Sequence, residues 1–133
     1  MALTLNIGKC SLLGNYRENN EDSIEVKQFP DLTVTVVADG MGGQAAGEIA
    51  SRKAIEVIPR ELRKSLTSNI NAEGVKNAIR RAIVQANEEI MSMGALDKEM
   101  RNMGTKCDHK LGCCVVRHAQ RHRPDLQRER RNQ

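Results

Sequence analysis

Three short segments hold the residue types that could do chemistry: Arg17-Glu-Asn-Asn-Glu-Asp22, Val37-Ala-Asp-Gly-Met-Gly-Gly43 followed by Gly47-Glu48, and Met103-Gly-Thr105. Glu21, Asp22 and Asp39 are hard oxygen donors next to strand-like runs. Mg2+ and Mn2+ take such donors, often with a backbone carbonyl, and keep several of their waters. Arg17, a few residues from the first cluster, can hold phosphate oxygens in a bidentate fork. Gly40, Gly42 and Gly43 let the backbone turn sharply and approach a ligand closely. Taken singly, Arg17, Glu21 and Asp22 read as solvated surface. Asp39 is different, because the apolar and β-branched run before it predicts burial near a strand end. A buried carboxylate needs a cation or hydrogen-bond donors to stay charged.

The glycines after Asp39 also fit a different chemistry, since Gly40-Met-Gly42-Gly-Gln-Ala45 matches the G-x-G-x-x-A fingerprint of dinucleotide sites. The context argues against it. Asp39 would direct a negative charge at the pyrophosphate, and about 20 residues on stands Pro59-Arg60-Glu61 in a helical stretch instead of a second strand ending in an acid.

The elements that must position these residues follow from periodicity. Leu3, Leu5 and Ile7 alternate before a Gly14-Asn15 turn signal and predict a strand over 3–13. Ile24 and Val26 predict a second over 23–28. The β-branched run Leu32–Ala38 predicts a third, joined through Pro30-Asp31 and antiparallel to the second, which puts Asp39 at a strand end. Ile49, Ala50, Ala54 and Val57 have helical spacing from Gly47, and Pro59 is expected to stop or kink that helix before a short amphipathic piece with Leu62 and Leu66. Asn71 is placed to cap the next helix, whose stripe runs Val75, Ala78, Ile79, Ala82, Ile83, Ala86, Ile90, with Gly94 as its stop. Strands followed by two such helices predict an α+β fold with helices on one face of an antiparallel sheet.

A length of 133 residues suits one domain, and 39% hydrophobic residues suffice for a modest core. The formal charge of +4 is uneven: residues 107–133 hold seven Lys/Arg against three Asp/Glu, and the remainder is balanced at 14 of each. With only Tyr16 and Phe29 as aromatics, the basic tail lacks the stacking residues that nucleic-acid recognition uses, so specific nucleic-acid binding is not expected. No signal peptide or membrane span is read from the chain, which predicts a cytoplasmic protein without membrane contact. Cys10, Cys107, Cys113 and Cys114 do not form a paired framework and read as reduced thiols. Cys107, Cys113, His118 and His122 are zinc-type ligands, yet four residues between Cys113 and His118 are far fewer than the roughly 12 of the familiar finger. An unstructured basic tail is the simpler reading of 117–133.

Together the three segments resemble the metal-dependent serine/threonine phosphatases of the 2C type, especially the bacterial branch, which shares R-x-x-N-x-D, V-x-D-G-M-G-G with G-E-x-A-S, and M-G-T in this order. The resemblance covers about 1–105. It implies the N-terminal portion of a four-layer α-β-β-α sandwich with antiparallel sheets, here incomplete, and a site for two Mn2+ or Mg2+ ions between the sheets. Asp39 would bridge both metals. The carbonyl of Gly40 and the carboxylates of Glu21 and Asp22 would hold a metal directly or through water, and Arg17 would bind the substrate phosphate. The implied reaction is two-metal hydrolysis of phosphoserine and phosphothreonine in proteins, with a cognate kinase as a further implied partner. Met41 stands where some members carry a histidine, so the general acid is unassigned.

Beyond Met103-Gly-Thr105 the family pattern stops. Its G-D-S-R-like segment and two later aspartates have no counterparts, since Asp97 precedes that motif and Asp108 and Asp125 lie in other contexts. Segment 106–133 therefore reads as an out-of-frame or truncated tail on a 1–105 catalytic portion, and weak or absent turnover is expected. A non-catalytic module that binds phosphopeptides or a partner is the alternative, ahead of a zinc-binding tail that contacts nucleic acid.

Overall fold

The computed structural model describes residues 4–30, 32–42, 46–67, 69–101, 103–105 and 112–117. Strand β1 (Asp22–Gln28) turns into β2 (Leu32–Met41), and the two pair antiparallel with Asp22 opposite Asp39 and Ile24 opposite Val37. Helices α1 (Ala46–Ser65) and α2 (Ala72–Leu96) follow, then a 3-10 turn (Lys98–Met100), the short β3 (Gly104–Thr105) and β4 (Gly112–Arg117). Both β3 and β4 pair antiparallel with β2, at Gly40–Met41 and at Leu32–Val37 respectively. The architecture is α+β, as the sequence predicts, with one four-stranded antiparallel sheet and helices on one of its faces.

The alternation in β2 decides which face that is. Leu32, Val34, Val36 and Ala38 are buried and pack with Ala50, Ala54, Val57, Ile58 and Leu62 of α1 in the core. A period of two sends the intervening residues to the other face, where Val37 and Met41 are exposed. Helix α2 packs along α1, and its buried row Ala78, Ala82, Ala86 and Ile90 at i, i+4 spacing starts with three alanines that allow close approach. Asn71 caps this helix as expected, its Oδ1 accepting from the Gly74 N–H at 2.8 Å.

Three expectations need correction. Residues 4–13 form no strand: a strand exists by pairing its backbone, these residues have no ladder partner among the described residues, and Ile7, Leu12 and Leu13 are exposed. Pro59 does not end its helix, because α1 runs through it to Ser65. The lost backbone hydrogen bond costs about 3 kcal/mol in isolation, but Val57, Ile58, Pro59 and Leu62 are all buried there, and this packing holds the helix across the break. Gly94 does not stop α2, which continues to Leu96. A Cβ at Gly94 would lie 2.8 Å from the Met100 carbonyl oxygen, so the glycine serves the close return of the chain after the helix. Cys107, His118 and His122, with most of the tail, lie outside the described residues, whereas Gly112–Arg117 form β4 in the same sheet as β2.

Candidate active site

The site begins with the β1–β2 register. Asp22 and Asp39 stand directly opposite at the end of the ladder, so their side chains share the face away from the helices. The Gly40 N–H donates to the Glu21 carbonyl at 3.1 Å, which extends the pairing one step and brings Glu21 alongside. Arg17, four residues earlier, places Nη1 3.6 Å from Glu21 Oε2. Arg17, Glu21, Asp22 and Asp39 line one cleft of about 220 Å³, together with Leu12, Leu13, Asn19 and Asn20. The third segment joins them through β3, with Thr105 opposite Gly40 and Gly104 opposite Met41.

Asp39 is half-buried, not enclosed as its preceding run suggests, because it belongs to the open face of β2. Asp22 is exposed and Gly40 buried. The glycine requirement is tertiary: a Cβ at Gly40 would lie 1.9 Å from the Gly47 carbonyl oxygen and 2.8 Å from that of Glu21. Helix α1 therefore meets the strand ends backbone to backbone. Gly42, with φ of 155°, makes the turn that follows, and Met103 packs against it, a Cβ there lying 3.0 Å from Met103 Cα.

Two supports escaped the sequence reading. Asn20 Oδ1 accepts from the Asp22 N–H at 3.0 Å, and its Nδ2 donates to Ser11 Oγ at 2.8 Å, which fixes the chain as it enters β1. The fixed asparagine of R-x-x-N-x-D was the available signal. Behind the site, the buried hydroxyls of Ser23 and Ser51 lie 2.8 Å apart, and Ser51 Oγ donates to the Glu48 carbonyl at 3.1 Å. Ser51 has one proton and gives it to Glu48, so Ser23 is the donor of the pair. No sequence period reveals a contact across 28 residues.

The donors facing the cleft are oxygens, which suits Mg2+ or Mn2+ and not a soft metal. Among the described residues no three His, Cys, Asp or Glu side chains converge to hold a cation by themselves. The fit is thus to a hydrated ion resting on few protein ligands.

The family model for protein phosphatase 2C matches residues 16–124, a span that contains every cleft residue from Arg17 to Asp39 as well as β3 and β4. The chain belongs to the protein phosphatase 2C family. This match runs past Thr105, where the motif resemblance ends. The serine/threonine phosphatase stp of Listeria monocytogenes is 33% identical over 93 residues, which is 69% of this chain and 36% of that protein. The stp of Listeria welshimeri is 32% identical over the same shares. Among solved structures, the Mycobacterium tuberculosis serine/threonine phosphatase PstP/Ppp superposes with a TM-score of 0.57 at 28% identity, over 84% of this chain and 41% of that one. The S. agalactiae serine/threonine phosphatase gives 0.64 at 24% identity, over 78% and 40%, and speaks for the fold alone. The chain spans about a third of the length of the curated relatives it matches.

Proposed function

We propose that this chain carries the phosphate-binding and first metal-binding portion of a protein phosphatase 2C site, directed at phosphoserine and phosphothreonine in proteins, with weak or no turnover in the 133-residue form. One observation supports it above the rest: the cleft gathers Arg17, Glu21, Asp22 and Asp39 from two segments that the sequence keeps 17 residues or more apart in their key members, Asp22 and Asp39. The complete arrangement would be the four-layer sandwich, with a second sheet over the open face that carries Val37, Asp39 and Met41.

Each residue has a part that its placement permits. Arg17, whose side chain is 76% exposed, reaches outward to fork two phosphate oxygens. Glu21 Oε2 forms an ion pair with this guanidinium at 3.6 Å. Asp39, Asp22 and Glu21, with the Gly40 carbonyl, would hold Mn2+ or Mg2+ directly or through water, the ions on which this family generally depends. When bound, such an ion makes a coordinated water acidic and offsets charge on the phosphoryl oxygens. Met41 has no proton to give, so the leaving serine or threonine oxygen takes its proton from solvent or from a group beyond this cleft.

A non-catalytic reading has its own support, since Arg17 is open to a phosphate while the described carboxylates form no three-ligand cluster. Such a module would bind phosphoproteins, a cognate kinase among them. Phosphate release from a phosphothreonine peptide, with Mn2+ and with Mg2+, tests both readings. Metal-dependent release abolished by Asp39→Asn supports the enzyme. Peptide binding that depends on Arg17 without release supports the module, and a chain that shows neither release nor binding overturns both readings.

A further inference from the structure

We propose that Gly47, in the first turn of α1, is a positioning residue for the Glu21 carboxylate. A Cβ built on Gly47 would lie 2.6 Å from Glu21 Oε1 and 2.9 Å from its Cδ, so the bare α-carbon is the notch in which the carboxylate rests. The other oxygen, Oε2, faces Arg17 at 3.6 Å. Glu21 is therefore seated between α1 and Arg17, and the seat fixes where the carboxylate stands beside the Asp22–Asp39 pair. The buried Ser23–Ser51 contact and the Gly40–Gly47 approach hold α1 in the position that makes the notch.

The inference rests on the proposed metal- and phosphate-binding role of the cleft, and it can fail separately. Gly47→Ala is a discriminating change because its main clash is with the movable end of a side chain. The Gly40 carbonyl carbon at 3.1 Å asks only for a shift of a few tenths of an ångström, and alanine is the better helix former. A purely structural glycine would lose stability and binding together. A positioning glycine loses binding while the fold persists.

The experiment is calorimetric titration of Mn2+ into the full chain, beside thermal melting followed by circular dichroism. Gly47→Ala should melt within about 5 °C of the unaltered chain and bind Mn2+ about tenfold more weakly, a readable loss for one displaced ligand. Adding Glu21→Asp to it shortens the side chain by one methylene, clears the new methyl group and should restore part of the affinity. Unchanged affinity in Gly47→Ala, or a further loss in the double variant, overturns the inference. If Gly47→Ala does not fold, Glu21→Asp alone, which withdraws the carboxylate from its notch, must weaken Mn2+ binding, and equal affinity there overturns the inference. Failure of the unaltered chain to bind Mn2+ overturns the metal reading itself and this inference with it.

Discussion

Asp39 and Gly40 are neighbours with opposite sensitivities. Asp39 sits half-buried on the open face, opposite Asp22, so its replacement by asparagine keeps the shape and removes a charge. Asp39→Asn should melt as the unaltered chain does while its Mn2+ affinity, measured by calorimetry, falls at least about tenfold, because a hard cation that loses a charged ligand reverts to its water shell. Gly40→Ala should lose stability. Its methyl group would collide with two backbone carbonyl oxygens that cannot rotate aside, at a cost of about 3 kcal/mol, readable as a lower urea midpoint. Arg17→Ala belongs with Asp39. The Arg17–Glu21 pair, at 3.6 Å with its arginine open to solvent, contributes at most about 0.5 kcal/mol to folding, yet phosphopeptide affinity should drop by roughly tenfold or more with the loss of a bidentate phosphate contact.

At the scale of elements, the helix pair has a surface clamp that is sensitive to acid. Arg60 of α1 pairs with Glu89 of α2 and with Glu61 at 3.0 Å, Lys53 reaches Glu89 at 3.4 Å, and Lys64 reaches Glu61 at 3.0 Å. The hydrogen bond from Arg60 holds the Glu89 carboxyl below the usual value near 4.5, and those from Lys64 and Arg60 do the same for Glu61. A depressed carboxyl contributes stability that is complete above its unfolded value and is lost as pH falls through the folded one. The melting temperature should therefore be flat near neutrality and decline below about pH 4.5. Glu89→Gln should flatten part of that decline and lower stability at pH 7 by a few tenths to about 1 kcal/mol, the range of exposed ion pairs. A pH profile of melting for both chains checks it.

For the whole molecule, the two faces of the sheet differ in kind. One face is covered by α1, and the other leaves Val37 at 43% and Met41 at 40% exposure, with Leu12 at 82% nearby in sequence to the cleft segment. Apolar surface of this sort promotes association. The chain should bind a hydrophobic dye and aggregate as its concentration rises, and Val37→Thr, which keeps the β-branched shape, should reduce dye fluorescence without lowering the melting temperature. A dilute monomer that melts cooperatively above about 60 °C and binds no dye would contradict this.

The sequence by itself determined the parts whose cause is local. The β-branched run from Leu32, the antiparallel pairing of β1 with β2, the Asn71 cap and the alanine-rich stripe of α2 act within a few residues of themselves, and they appear as expected. The types and spacing of Arg17, Glu21, Asp22 and Asp39 single them out as a group, and the β1–β2 register brings the four to one cleft, on which the proposed metal and phosphate roles rest. Tertiary structure decided the rest. Whether residues 4–13 form a strand depends on a pairing partner, whether Pro59 breaks α1 depends on the packing of Val57, Ile58 and Leu62, and how far Asp39 is buried depends on what lies over its face. The approach of Gly40 to Gly47 and the Ser23–Ser51 bond join residues that no local period connects, because their reason is the distance between a helix and a strand end, which exists only once both have packed.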